Sequence, residues 1–293
     1  TGGPQPLQQG ELILIFASVD VSRGISAVII AYNEAANIGR CIDSLSDLVD
    51  EVLVVDSFSI DDTCAIAQNH GARVLQHAFE GHIQQKNWAK DQATFDWVLS
   101  LDADECLSAS LRENLKNAIQ QGLTYGKSKG YTFARLNHLG DRAIKGCGWY
   151  PDRKMRLWDR TAGTWAGKNP HDKFVISPQH EVGSIPGDIL HYTYPNVDAV
   201  KRQALKFGKI GGAALREFWK VHDDETAFQR KGGIYWFFLL KLVTAGPSRF
   251  IRNYLFKGGW KYGMDGLTIC YWQMAEATLK YAWALRRQKN SHA

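Results

Sequence analysis

The stretch Ile25-Ser26-Ala27-Val28-Ile29-Ile30-Ala31-Tyr32-Asn33-Glu34 decides the fold. Six of its first seven residues are apolar, Ser26 being the exception, and the run is rich in β-branched side chains, the pattern of a strand covered on both faces. The run then stops in a polar group, Tyr32-Asn33-Glu34. A second run of the same kind, Glu51-Val52-Leu53-Val54-Val55-Asp56, also ends on a carboxylate. Between the two, Ile38, Cys41, Ile42 and Leu45 recur at helical spacing, which predicts a helix within residues 33–48.

Working outward, Ser59 with Asp62 three residues on has the form of a capping box and predicts a helix over 61–70. A short strand at 72–75, a helix at 83–92, a strand at 97–101 and a helix at 108–120 follow. Strand and helix alternating in this way specify an α/β chain, a mainly parallel sheet with helices on both faces. Past residue 120 the alternation fails. Strands are expected at 131–136 and 154–158 around a loop rich in Gly, Arg and Trp, then a basic helix at 199–219. The remainder reads as amphipathic helices broken at Gly232-Gly233, Gly246-Pro247 and Gly258-Gly259.

At 293 residues, 45% hydrophobic and 22% charged, the chain suits one large globular domain, or one domain with an appendage. That excludes a disordered tail, a fibre and a small disulfide scaffold. Five cysteines without a C-x-x-C spacing suggest neither a zinc knuckle nor a secreted framework, and fit a reducing compartment. The net charge of +5 conceals a division. Residues 1–200 carry 18 Lys+Arg against 24 Asp+Glu, whereas residues 201–293 carry 17 against 6 and hold 17 of the 34 aromatics. A basic, aromatic end on an acidic body suggests an anionic partner, membrane surface or nucleic acid. The apolar runs at 12–19 and 234–240 are too short for a spanning helix, which needs about 20 residues. The first also lacks the basic flank of a signal peptide. Residues 1–22 are expected to form a mobile N-terminal segment.

Open parallel sheets bind ligands at the carboxyl ends of their strands. Here those ends are Ala31-Tyr32-Asn33-Glu34, Asp56-Ser57 and Asp102-Ala103-Asp104-Glu105. Asp102 and Asp104, two apart in extended chain, point the same way and suit one hard cation, Mg²⁺ or Mn²⁺. A cation so held clamps a diphosphate leaving group, while Asp56 suits hydrogen bonds from a base or ribose. With 20 Asp in the chain, chance alone yields about 1.4 D-x-D triplets. The triplet here gains its weight from its place after a buried strand, in line with Asp56 and Glu34.

Residues 26–37 (SAVIIAYNEAAN), 51–57 (EVLVVDS) and 100–105 (SLDADE) closely resemble glycosyltransferase family 2, with its GT-A fold. Gln84-Gln85-Lys86-Asn87, Lys154-Met155-Arg156-Leu157-Trp158, Pro170-His171-Asp172 and Leu190-His191-Tyr192 narrow the resemblance to the core β-1,4-glucosyltransferases of lipopolysaccharide and their relatives. It covers about residues 24–285. The resemblance implies a nucleotide-diphosphate sugar donor, UDP-glucose in that subgroup, a divalent metal, and inversion at the anomeric carbon. By position, Ala31, Tyr32, Glu34 and Asp56 would hold the nucleoside, and Lys86 would approach the phosphates or ribose. Asp102 and Ala103 would meet ribose or sugar, Asp104 the metal, and His191 would complete the metal shell or simply cap a strand end. The chain is expected to divide into a GT-A domain at 23–200, with a donor half at 23–105 and an acceptor half at 106–200, and a basic, aromatic-rich, membrane-associating helical region at 201–293.

Inverting transfer in one step needs a general base for the acceptor hydroxyl. The family places an acid after a His, and the pair here is His171-Asp172, shorter by one methylene than the usual glutamate; Asp152 and Glu181 are the other candidates. Trp149 with Arg153 and Arg156 would face an anionic, lipid-anchored saccharide acceptor, since aromatic faces suit sugar rings and arginine suits phosphate or carboxylate. The tail interleaves Arg249, Phe250, Arg252, Tyr254, Phe256, Lys257, Trp260 and Lys261, a composition suited to an anionic membrane surface. It lacks a nucleic-acid module, so no nucleic-acid partner is expected. These expectations describe a bacterial enzyme lying peripherally on the cytoplasmic face of the inner membrane. Three other readings compete: transfer to a different cell-envelope or polyprenyl-linked acceptor, a sugar nucleotidyltransferase, and a non-catalytic binding protein. The second calls for a Gly-rich loop after the first strand, and Ala31–Ala36 has no glycine; the third sits poorly with intact Asp56, Asp102, Asp104 and Asp172.

Overall fold

A computed structural model describes residues 24–168, 171–221 and 228–285. The expected N-terminal mobile segment and the apolar run at 12–19 lie outside the described residues. Four strands come first: β1 (Ile25–Ala31), β2 (Glu51–Asp56), β3 (Arg73–Gln76) and β4 (Trp97–Asp102). They alternate with helices α1 (Ile38–Asp43), α2 (Thr63–Asn69) and α3 (His82–Asp91). β5 (Glu105–Leu107), α4 (Ala109–Gln120), β6 (Ser128–Leu139), β7 (Arg142–Ala143) and β8 (Asp152–Asp159) follow. Then come β9 (Gly163–Lys168), β10 (His171–Ile176), β11 (Glu181–Tyr194), α5 (Val197–Val221), α6 (Phe228–Ile251) and α7 (Gly263–Leu285).

Among the described residues the main sheet has the order β3-β2-β1-β4-β8-β6-β11-β5, with β7 on β6. The first four strands are parallel, β8 runs antiparallel between β4 and β6, and β11 lies parallel to β6. Period-two alternation explains why β1 is apolar on both faces apart from Ser26, whose buried hydroxyl donates to Glu51. Ile25, Ala27, Ile29 and Ala31 enter one core with Ile38, Cys41 and Leu45 of the α1 region and with Leu111 and Leu115 of α4. Val28 and Ile30 enter the opposite core with Ala89 of α3 and with Trp158, Trp165 and Phe174. Each Val, Leu, Ile or Phe side chain among them contributes about 1.5–3 kcal/mol when fully buried.

The β9–β10 hairpin forms a separate two-stranded sheet. It is pinned by Trp158, which stacks on Phe174 at 4.1 Å and meets Trp165 edge-on at 5.3 Å. Asn87 of α3 ties it down further, its Nδ2 donating to Trp165 O (3.0 Å) and its Oδ1 accepting from Trp165 N (3.0 Å). The sequence pattern left this hairpin unassigned.

Several local expectations differ. The helix expected within 33–48 contracts to six residues; Asn33 and Asp47 adopt left-handed φ of 54° and 63°, which keeps both ends of the expected span out of the helix. Ser59 does not cap α2; its hydroxyl and amide both donate to Asp56, a fully buried carboxylate that needs donors. Gly232-Gly233 and Gly246-Pro247 do not interrupt α6. Gly246 instead permits close packing on α7, since a Cβ there would stand 2.2 Å from Thr278 Oγ1. Gly212 of α5 does likewise, with Trp283 Cβ 2.4 Å from where its own Cβ would be. Gly258-Gly259 does mark a break, between a π-helical turn at Arg252–Phe256 and a 3₁₀ turn at Gly259–Tyr262.

Candidate active site

Register sets the crevice. Ala31 pairs with Asp56 on one side of β1, and Ile30 pairs with Asp102 on the other. The loops after β1 and β2 are laced together: Asn33 N donates to Ser59 Oγ (2.8 Å), Ile60 N to Asn33 Oδ1 (2.9 Å), and Glu34 N to Thr63 Oγ1 (2.8 Å). Tyr32 and Phe58 stand exposed at the two strand ends, 58% and 54% accessible. Phe58 holds a φ of 61°, costly for an aromatic residue. Sequence reading missed it, although its place directly after Asp56-Ser57 was the available signal. Asp56, expected to meet the nucleoside, faces its own loop and accepts from Ser59.

Beneath the crevice runs an alternating chain of charges. Asp172 Oδ2 meets Lys86 Nζ at 2.9 Å, and Lys86 Nζ meets Asp102 Oδ1 at 3.0 Å. Asp102 Oδ2 meets Arg156 Nη2 at 2.7 Å, and the same nitrogen meets Glu105 Oε1 at 2.6 Å. Glu105 continues to Arg135 (3.2 Å), Arg135 to Asp152 (2.6 Å), and Asp152 to Lys154 (3.2 Å). Four acids and four bases thus balance across the sheet. Buried charges persist only when paired in this way. Burial alone would raise the Asp102 carboxyl, but the Arg156 guanidinium and Lys86 ammonium overcome it and hold Asp102 well below the usual carboxylate range. Arg156, expected on the acceptor side, is 3% exposed and lies within this chain. Arg153 stays exposed and donates to Ser184 Oγ (3.2 Å). Glu105, given no role by sequence reading, also accepts from Asp102 N (3.0 Å) and so shapes the D-x-D turn; it was visible as the residue that closes the motif.

Strand pairing supplies the remaining partner. β5 places Glu105 opposite His191 of β11, and β6 places Asn137 beside it. His191 Nδ1 lies 2.6 Å from Asn137 Oδ1, an acceptor, so Nδ1 carries the hydrogen. Its Nε2 lies 3.2 Å from Asp104 Oδ2. A carboxylate oxygen and an imidazole nitrogen at this separation are suited to sharing a proton or a cation. Glu34 adds negative charge nearby. Burial raises its carboxyl above the ordinary 4.5, the Asn37 amide partly offsets this, and Asp104, Asp61 and Asp102 add to the rise. Among the described residues no group of three or more His, Cys, Asp or Glu could hold a metal. A cation here would draw its other ligands from water and phosphate, as Mg²⁺ and Mn²⁺ commonly do.

Trp149 is stacked on Tyr194 at 4.9 Å, near the α6–α7 helices and apart from the charge chain. Ala103 is buried in the turn between Asp102 and Asp104.

A mainly parallel sheet with an acidic crevice at its strand ends is the architecture of a nucleotide-sugar transferase of the GT-A type. Residues 26–142 match the glycosyltransferase family 2 domain. A glycosyltransferase of Rickettsia typhi with uncharacterised activity is 45% identical over 263 residues, covering 83% of this chain and 80% of that one. The lipopolysaccharide core biosynthesis glycosyltransferase LpsC of Rhizobium meliloti is 30% identical over 254 residues, covering 83% of this chain and 84% of LpsC. A Rickettsia felis glycosyltransferase is 49% identical over 92 residues, and in that match the chain spans about a third, 32%, of the relative's length. The chain belongs to glycosyltransferase family 2.

Proposed function

We propose that the chain is an inverting, metal-dependent hexosyltransferase that moves a sugar from a nucleotide diphosphate, UDP-glucose by the subgroup resemblance, to a lipid-anchored saccharide of the lipopolysaccharide inner-core type. The observation that carries this reading is the facing pair of Asp104 Oδ2 and His191 Nε2, 3.2 Å apart beside the D-x-D turn. Mg²⁺ or Mn²⁺ bound between them would neutralise the donor diphosphate and stabilise it as a leaving group. Tyr32 and Phe58 offer aromatic faces to the base, and Glu34 lies beside the same crevice. Lys86, shared by two carboxylates, turns in this reading toward a donor phosphate that arrives with greater charge.

Asp172 serves as the base in this reading. It takes the acceptor hydroxyl proton while that oxygen bonds to the anomeric carbon and the nucleoside diphosphate departs with the bonding pair. Its proximity to Lys86 and Asp102 supports the assignment, because both also border the donor side. The division into a GT-A domain over 23–200 and a helical region over 201–293 belongs to the same proposal.

The helical region is read as the membrane-facing part. Phe237, Leu240, Thr244, Pro247 and Ile251 recur at helical spacing, all exposed. They lead to exposed Leu255, Phe256, Trp260 and Met264 near Lys257 and Lys261. Among the described residues no helix is long and apolar enough to cross a membrane. Peripheral attachment to anionic lipid on the cytoplasmic face fits this surface. LpsC, named for lipopolysaccharide core biosynthesis, supports that acceptor class. The test is release of UDP from UDP-glucose in the presence of Mn²⁺ and lipopolysaccharide truncated in its inner core. Transfer to the saccharide supports the assignment; donor turnover only with polyprenyl-phosphate acceptors would favour the other acceptor class.

A further inference from the structure

A cavity of about 290 Å³ lies where the end of β11, the loop before β8, α5, α6 and α7 converge. Its walls include Trp149 and Tyr194, stacked with their planes 16° apart, and the cations Arg249, Arg252 and Lys257. Arg249 is answered by Glu276 at 3.1 Å. Among the described residues no carboxylate pairs with Arg252 or Lys257. The cavity therefore carries surplus positive charge beside an aromatic wall. Burial pushes the Tyr194 phenol up to about 12, and the Glu276 charge adds to the rise, so it stays a neutral hydroxyl at physiological pH.

The floor is polar and fully bonded. Asn253 and Gln273 are 4% and 8% exposed, and Asn253 Nδ2 donates to Gln273 Oε1 at 2.7 Å. Gln273 Nε2 in turn donates to Cys147 O (3.1 Å), and Arg252 Nε donates to Asn253 Oδ1 (3.3 Å). This network clamps the loop before β8 and steadies the guanidinium; satisfied buried networks rigidify what they join. Gly148 takes a φ of +72°, and a Cβ there would stand 3.1 Å from both Asn253 Oδ1 and Lys257 Cδ. Arg252 and Asn253 belong to the π-helical turn, a distortion frequent at functional sites. Tyr194 lies three residues beyond His191 on β11, across a register shift in the pairing of β11 with β6, a chain separation of at most roughly 10 Å at strand spacing.

We propose that this cavity is an acceptor subsite for a sugar residue bearing a phosphate or carboxylate, with the anion between Arg252 and Lys257 and the ring against Trp149 and Tyr194. The inference rests on the transferase reading for its purpose, but binding there needs neither donor nor metal. The experiment titrates the full chain with glucose 6-phosphate, glucose and phosphatidylglycerol vesicles, and repeats it with a double variant, Arg252→Gln with Lys257→Gln. Glucose 6-phosphate is expected to bind saturably, with glucose and the double variant each weaker by about tenfold or more, the effect of losing hydrogen bonds to a charged group. UDP binding with Mn²⁺ should be equal in both proteins, which separates a local loss from misfolding. Equal affinity for glucose, or no effect of the double variant, overturns the subsite. Displacement of glucose 6-phosphate by the vesicles also overturns it, in favour of a lipid headgroup site. Sugar-phosphate binding that persists where no nucleotide binds supports the subsite and counts against the donor reading alone.

Discussion

Lys86 Nζ lies 2.9 Å from Asp172 Oδ2, an ion pair that joins α3 to the β9–β10 hairpin across 86 positions of sequence. The same ammonium lies 3.0 Å from Asp102 Oδ1, so one cation links the proposed base to the D-x-D turn. Asp172→Asn should preserve nucleotide binding while cutting turnover by about 10²–10⁴-fold, the range for loss of a general base. Steady-state kinetics beside a nucleotide titration checks this. Near-normal turnover would move the base to Asp152 or Glu181.

Glu105 is the keystone of the charge chain, holding Arg156, Arg135 and the Asp102 amide. Glu105→Ala leaves Arg156, 3% exposed, with one carboxylate in place of two. Breaking a buried pair on one side costs about 3–5 kcal/mol. Denaturant unfolding should show that loss, and a change within about 0.5 kcal/mol, the range of ordinary surface substitutions, would contradict it.

The raised carboxyl of Glu34 has a calculable sign. A carboxyl whose pKa rises on folding binds its proton more tightly in the folded state, so its ionised form opposes folding. That opposition is absent below the ordinary value of 4.5 and complete above the raised folded value. Glu34→Gln should therefore raise the melting temperature at pH 7, and the gain should shrink as pH falls through the raised value toward 4.5. A gain independent of pH would show that charge is not its source.

Phe256, 82% exposed, and Trp260 flank Lys257 near the start of α7. If they enter an anionic lipid surface, replacing both with Ala should weaken sedimentation with phosphatidylglycerol vesicles by about tenfold or more, since a large apolar side chain contributes about 1.5–3 kcal/mol on burial. Unchanged sedimentation would remove this tip from the interface.

The α/β half was legible because its signal is local. A strand buried on both faces must be almost wholly apolar, as Ile25–Ala31 is with Ser26 its one polar residue, and the run turns polar where it reaches the crevice. The hairpin that carries Asp172 was not legible, because Asn87 and Trp158 hold it through contacts distant in sequence. The place of Arg156 in the charge chain was not legible for a related reason. An arginine on a strand reads the same whether it faces solvent or two buried carboxylates, and only the pairing of β8 with β4 and β6 decides. The motif Asp102-Ala103-Asp104-Glu105 gave the acids but not their division of labour. Asp102 is committed to cations already in the protein, whereas Asp104 faces His191. Gly246 read as a breaker because its role, close approach to α7, depends on a helix that follows it.

The most direct test is calorimetric titration of UDP, GDP and their glucose, galactose and mannose conjugates, with and without Mn²⁺, on the wild type and on Asp104→Ala. The Asp104–His191 pair predicts that one nucleotide binds in a Mn²⁺-dependent manner and that Asp104→Ala abolishes the dependence. Nucleotide binding that is indifferent to Mn²⁺, or unchanged in Asp104→Ala, would contradict it.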